Sequence, residues 1–177
     1  MIAFSDFMEI YTKRLVLRPL ALADLQTTHE YASDQETCKY MIFLPNKTID
    51  ETAEFLQAVE RNWNAEKPLS YEFAICVDGR HIGAISIALE SESVGEFGWI
   101  LNCAYQGRGY CTEAAKALVP FAKATLKLDK LVAHCDTRNV ASYRVMEKLG
   151  MSRVGESHRE YFDERGIASE YEYAMDL

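Results

Sequence analysis

Positive charge is the scarcer sign in this chain: 19 Lys and Arg stand against 27 Asp and Glu, for a formal net charge of −8. A general nucleic-acid binder needs a basic surface, so the charge argues against one and no direct nucleic-acid partner is expected. The same field suits amines and basic peptides, which an acidic surface concentrates. Long apolar runs are missing as well. No stretch approaches the ~20 apolar residues of a membrane span, and Met1-Ile2-Ala3-Phe4-Ser5-Asp6 has neither the basic start nor the apolar run of a secretory signal. The expectation is a cytoplasmic protein that engages no membrane. The five cysteines (Cys38, Cys76, Cys103, Cys111 and Cys135) are an odd number with no C-x-x-C pair. That pattern suggests neither a disulfide framework nor a zinc site, so no metal is expected. Repeats, low-complexity tracts and linkers are absent, and 177 residues suit a single domain, 1–177, with its core over about 11–176.

What is present reads as an α+β chain. A strand is expected over 13–18, a helical region over 21–33 and a second helix over about 49–65, where Thr48-Ile49-Asp50-Glu51 has the form of a capping box and Leu56, Val59 and Trp63 mark one apolar face. Tyr71, Phe73, Ile75 and Val77 alternate with Glu72, Ala74 and Cys76, and Asp78-Gly79 then turns the chain into Ile85, Ile87 and Leu89, which predicts a hairpin. Further strands are expected at about 94–102 and 130–136, with helices over about 109–126 and from Asn139 to Leu149. A closing hairpin should turn at Asp163-Glu164-Arg165-Gly166. Pro120, inside one of these helices, should remove a backbone bond and kink it. Hairpins with helices between them argue for three layers, α/β/α, around a mixed, mostly antiparallel sheet of about seven strands rather than a doubly wound parallel fold.

The segment Gln106-Gly107-Arg108-Gly109-Tyr110-Cys111-Thr112 places two glycines where a strand gives way to a helix. Glycine lets the backbone approach a ligand, and the first amides of a helix together with its dipole attract an anion, most commonly a phosphate. About 30 residues later comes Asn139-Val140-Ala141-Ser142, on a helix ending Glu147-Lys148-Leu149-Gly150-Met151. Together these motifs resemble the GCN5-related N-acetyltransferase (GNAT) superfamily. Thr12-Lys13-Arg14-Leu15 and Arg108-Gly109-Tyr110-Cys111-Thr112-Glu113-Ala114 are similar to its RimJ/RimL-like branch, enzymes of ribosomal-protein amino termini, over the chain from about residue 11 to the C-terminus. Cys111 departs from the pattern, standing where Gly or Ala is usual.

The resemblance implies a sheet in which two strands splay to admit acetyl-CoA, with Trp99, Ile100 and Leu101 along one side of the slot and strand 130–136 along the other. It further implies that Gln106 to Thr112 cradle the pyrophosphate, that Asn139 holds the pantetheine arm, and that Ser142 protonates the departing thiolate. Many GNAT enzymes use a tyrosine seven residues after the asparagine, but Met146 stands there and has no proton to give. The general base is left between Glu160, in an Arg159-Glu160-Tyr161 sequence that matches the branch, and Glu96, either of which could act through water. His134 reads as a satisfied core histidine. The expected acceptor is a primary amine, a protein N-terminal α-amine such as that of a ribosomal protein, taken by direct attack. Alternatives are a polyamine, an aminoglycoside or another small amine, or a non-catalytic acyl-CoA-binding module. A phosphotransferase is disfavoured because no Lys-(Ser/Thr) follows Gly109. The chain is expected as a monomer or homodimer.

Overall fold

The computed structural model describes residues 8–43, 45–161 and 164–177. In chain order its elements are β1 (Ile10–Tyr11), β2 (Leu15–Pro19), α1 (Leu25–Ala32), α2 (Gln35–Cys38), α3 (Ile49–Trp63), β3 (Ser70–Val77), β4 (Arg80–Leu89), β5 (Val94–Leu101), α4 (Tyr110–Pro120), β6 (Lys130–Asp136), α5 (Val140–Leu149), β7 (Ser152–Glu160) and β8 (Ile167–Asp176). The strands form one sheet in the order β1-β2-β3-β4-β5-β6-β8-β7. Every neighbouring pair is antiparallel except β5 with β6. The mixed α+β architecture is therefore as expected, with eight strands in place of about seven. The extra one, β1, is two residues paired to Val16 and Leu17, too short to show any periodicity.

Alternation along β3 sorts its side chains between two faces. Tyr71 and Phe73 meet Phe121, just beyond α4, edge to face at 5.6 and 5.4 Å. On the opposite face Cys76 pairs in register with His81, whose ring takes the edge of Tyr31 from α1 at 5.7 Å. Helices thus cover both faces, α1 packing with α3 and α4 with α5. Phe73, Ile75, Ile85, Ile87 and Leu131 are fully or almost fully buried, each contributing about 1.5–3 kcal/mol.

Local chemistry explains where elements stop. Thr48 caps α3 by accepting from the Glu51 amide, while Glu51 accepts from the Lys47 amide, one residue earlier than a strict capping box. The helical region expected over 21–33 divides into a 3-10 turn at Leu22–Asp24 and α1, and a separate α2 starts beyond it because Asp34 accepts from the Thr37 amide at 2.7 Å. The helical backbone continues through Pro120, with Pro120 and Phe121 both in the right-handed region, so the helix expected over about 109–126 is present but changes its hydrogen-bond pattern at the proline. A widened π turn, Phe121–Thr125, follows it, closed by Leu126 N–H donating to the Phe121 carbonyl. The closing hairpin is present in β7 and β8; Asp163 of its expected turn lies outside the described residues.

Candidate active site at the sheet fork

β5 and β6 pair only from Val94↔Lys130 to Phe97↔Ala133. Beyond that point β5 stays with β4 as far as Leu101↔Gly83, and β6 stays with β8 as far as Asp136↔Glu170. Each strand is held from its outer side, so the two part, and a cavity of about 860 Å³ fills the fork. Trp99, Ile100 and Leu101 line it along the edge that β6 has left. Such an edge offers backbone N–H and C=O groups to an extended ligand as an added strand would.

Gly107 and Gly109 lie at the mouth with φ of 74° and 79°, a left-handed backbone that costs other residues roughly 1–2 kcal/mol. Gly109 is the N-cap of α4 and has no side chain to satisfy the first helical amides, which remain free to hold an anion. Gln106, Gly107, Gly109, Tyr110, Cys111 and Thr112 all line the cavity. Gln106 also donates its side-chain amide to the Leu101 carbonyl at 2.9 Å, tying the cradle to the end of β5. Arg108 is outside the lining: its guanidinium bonds the Ala104 carbonyl and stacks on Tyr105. From α4, Glu113 accepts from the Thr12 hydroxyl (2.6 Å), the Arg14 amide (2.9 Å) and Arg14 Nε (2.7 Å). Arg14 further donates to the Arg108 carbonyl and lies 4.6 Å from the centre of the Tyr110 ring, so the turn before β2 braces the cradle from behind.

The second helix end belongs to α5. Asn139 caps it, its Oδ1 accepting from the Ser142 amide at 3.2 Å, and both residues line the cavity. The asparagine therefore sets the helix start and still presents its NH2 end. The Ser142 hydroxyl hydrogen-bonds the Cys135 thiol, which burial pushes up to about 11. The turn into α5 is fixed by Asp136. Its fully buried carboxylate opposes ionisation by burial, yet a two-point bond from Arg138 and one from the Tyr161 hydroxyl hold it down to about 2. Met146 is buried in the core, and Tyr143 packs on Tyr171 outside the lining.

On the face of the sheet shared with α1, Glu96 and His134 meet across the fork, Oε1 to Nδ1 at 2.7 Å, each about one third exposed at 33% and 28%. The segment Glu36–Phe43 closes the cavity over them. Arg165 donates to the carbonyls of Cys38, Lys39 and Met41, and Arg159 donates to that of Tyr40, whose ring also meets Arg138. The segment is thereby strapped to the closing hairpin and to the α5 turn. Glu160 has no place in the cavity. Alternation along β7 exposes it and turns Arg159 inward, where Arg159 bonds Glu170 at 2.6 Å. Of the two expected carboxylates, Glu96 alone lines the cavity.

The sequence profile of the acetyltransferase (GNAT) domain matches residues 14–152. The chain belongs to the GNAT acetyltransferase family. It is 36% identical over 150 residues to the uncharacterized N-acetyltransferase YnaD of Bacillus subtilis, covering 84% of this chain and 85% of that one. It is 28% identical to the spermidine N(1)-acetyltransferase of Escherichia coli, covering 82% and 77%. A GNAT-family acetyltransferase crystal structure from Bacillus anthracis superposes with a TM-score of 0.80 at 31% identity, over 96% of this chain and 98% of that one. The protein is accordingly an acyltransferase that uses acetyl-CoA.

The lining of this acetyltransferase fits that cosubstrate. Five cations (Lys39, Arg138, Arg144, Lys148 and Arg159) face it against two carboxylates, Glu36 and Glu96. Four of the five are paired to carboxylates, Lys39 to Glu36, Arg138 to Asp136, Arg144 to Glu147 and Arg159 to Glu170, so a phosphorylated ligand is left Lys148 and the free amides of the cradle. Cys111 lines the cradle as a neutral thiol, pushed up to about 12 by burial. Among the described residues no group of His, Cys, Asp or Glu is placed to hold a metal, and no helix is long and apolar enough to cross a membrane.

Sequence reasoning overlooked Arg14 with Glu113, Arg138 with Asp136, and the strap at Glu36–Phe43. Thr12-Lys13-Arg14-Leu15 is part of the family resemblance, but the bond from Arg14 to Glu113 spans 99 residues and leaves no local signal.

Proposed function

We propose that this acetyltransferase moves an acetyl group from acetyl-CoA to a single primary amine, the α-amine of a protein N-terminus. The observation that carries the reading is the charge of the cavity. Its two carboxylates are both matched, Glu36 by Lys39 at 3.0 Å and Glu96 by His134 at 2.7 Å. A polyamine would need a row of unmatched carboxylates, whereas one amine needs one proton acceptor. Protonation chemistry agrees. An α-amine with pKa ~7.7–8.0 costs about 1 kcal/mol to deprotonate at pH 7, against roughly 4.6 kcal/mol for a lysine. A single weak base is adequate for the first and poor for the second.

Bound acetyl-CoA supplies an activated acyl carbon and a thiolate leaving group. The free edge at Trp99, Ile100 and Leu101 holds its pantetheine amides, the amides from Gly107 to Thr112 hold the pyrophosphate, and Asn139 steadies the arm. Ser142 donates a proton to the departing sulfur. Glu96, on the other face of the sheet, lies where the amine enters. A thiol-release assay with acetyl-CoA across N-terminal peptides, spermidine and an aminoglycoside tests this. Turnover on peptides is expected, and preference for spermidine would replace the proposed acceptor with a polyamine.

A further inference from the structure

We infer that the base of this acetyltransferase is His134, held by Glu96 in a carboxylate–imidazole pair at the point where the sheet forks. The inference rests on the acetyl-transfer reading and names the group that makes the amine reactive.

Register creates the pair. Glu96 opposes Val132 in the last stretch of parallel pairing, and His134 is two residues further along β6, on the same face, just past the final pair Phe97↔Ala133. The strand that would have covered the imidazole has turned away at that point, so the ring borders the cavity instead of the core. Nδ1 is 2.7 Å from Glu96 Oε1, and Nε2 carries no hydrogen bond among the described residues. Held by the carboxylate, the ring keeps its proton on Nδ1 and presents Nε2 as an acceptor. The hydrogen bond that His134 donates to Glu96, reinforced by the charges of Glu170 and Glu172 of β8, raises the His134 pKa above its ordinary value, which strengthens it as a base; partial burial opposes this. Glu90 and Arg159 act on Glu96 and help to keep it ionised. Glu36 and Lys39, which also border the cavity, neutralise each other.

The protons balance. An incoming ammonium loses one proton to His134 Nε2, and the freed lone pair forms the C–N bond. The N–H proton released by that attack ends on sulfur through the Ser142 hydroxyl as the C–S bond breaks. His134 returns its proton to water. Glu96 is a positioning residue, since it acts through the imidazole.

Two readouts test the pair. In histidine-labelled protein followed by NMR, the signal that His134→Gln removes should titrate above the ~6.5 of a free histidine, and Glu96→Gln should lower its midpoint. In steady-state kinetics kcat/KM should rise with pH through that same midpoint. His134→Gln should lower kcat ten- to a hundredfold with CoA affinity unchanged, and Glu96→Gln should lower it less while moving the acid limb to lower pH. If the limb survives in His134→Gln and vanishes in Glu96→Gln, the carboxylate is itself the base and the inference fails. A His134 midpoint that Glu96→Gln leaves in place also overturns it, even if wild type acetylates nothing in the panel. That last result would by itself refute the proposed acceptor and leave the NMR arm to decide the pair.

Discussion

Replacing Gly109 by valine tests the cradle with a perturbation whose size the structure sets. The φ of 79° costs a β-branched residue about 2 kcal/mol. A Cβ at this position would come within 3.6 Å of Arg14 NH2, so a methyl group fits, but the branches of valine press on the guanidinium that holds Glu113. Loosening that pair, partly exposed at 41% and 20%, adds roughly 0.5 kcal/mol. The total of about 2.5 kcal/mol is within the usual 5–15 kcal/mol of domain stability, so the variant should fold. Relief of the strain rotates the peptide after residue 109 and turns at least one amide from the anion. A hydrogen bond to a charged group is worth about 1.5–3 kcal/mol, which is a tenfold to 150-fold loss of CoA affinity. Gly109→Ala keeps Arg14 in place and should lose less. Calorimetric titration with CoA on variants shown folded by circular dichroism measures both. Parental affinity in folded Gly109→Val refutes the cradle assignment.

Three other outcomes are expected. Ser142→Ala should lower kcat by something in or just below the 10²–10⁴ range of a positioned acid, with little change in CoA affinity, because a thiolate of pKa ~8.5 leaves tolerably unaided; unchanged kcat where chemistry limits turnover would make the serine structural. Cys111→Ala should hold turnover within a few-fold of the parent and mass spectrometry should find no acetyl-cysteine, since burial keeps that thiol neutral; a covalent acetyl adduct on Cys111 would contradict direct attack. Burial raises Glu72 to about 7 against a bond from Ser86, so the folded state binds a proton the unfolded chain has released, and the stability Glu72 contributes should be lost as pH rises from about 4.5 to 7, while buried His81, whose pKa is lowered, acts in the opposite sense. In denaturant titrations at several pH values the stability of the parent relative to Glu72→Gln should fall across that window by at most about 3 kcal/mol, and a difference that does not change with pH would mean Glu72 carries no slope.

Local pattern was enough for the elements that local chemistry determines. The β3–β4 hairpin shows in the alternation from Tyr71 to Val77 and in Asp78-Gly79, both of which take positive φ. The cradle glycines and the Asn139 helix were legible for the same reason, each motif needing only its own backbone geometry. What escaped depends on register or on distant partners. Glu96 and His134 are 38 residues apart and meet because of one parallel pairing. His134 reads as a core histidine on an alternating strand, and the fork is what opens its position to the cavity. Glu160 fits its motif, yet the phase of β7, set by pairing with β8, exposes it and turns Arg159 inward.

The fork also accounts for the division of labour between the two faces. Alternation on β5 sends Trp99 to the side of α4 and Glu96 to the side of α1, so a ligand lying along Trp99 to Leu101 is separated from Glu96 by the thickness of a single strand. In the proposed mechanism the two helix N-termini serve a phosphorylated arm, while the matched pair of Glu96 and His134 serves an amine arriving over the opposite face. The two ligands therefore need to meet only where the strands part. In the proposed mechanism a proton taken on the amine side and one delivered beside Cys135 by Ser142 never have to exchange within the protein, so one base on β6 and one acid on α5, neither bonded to the other, suffice for transfer by direct attack.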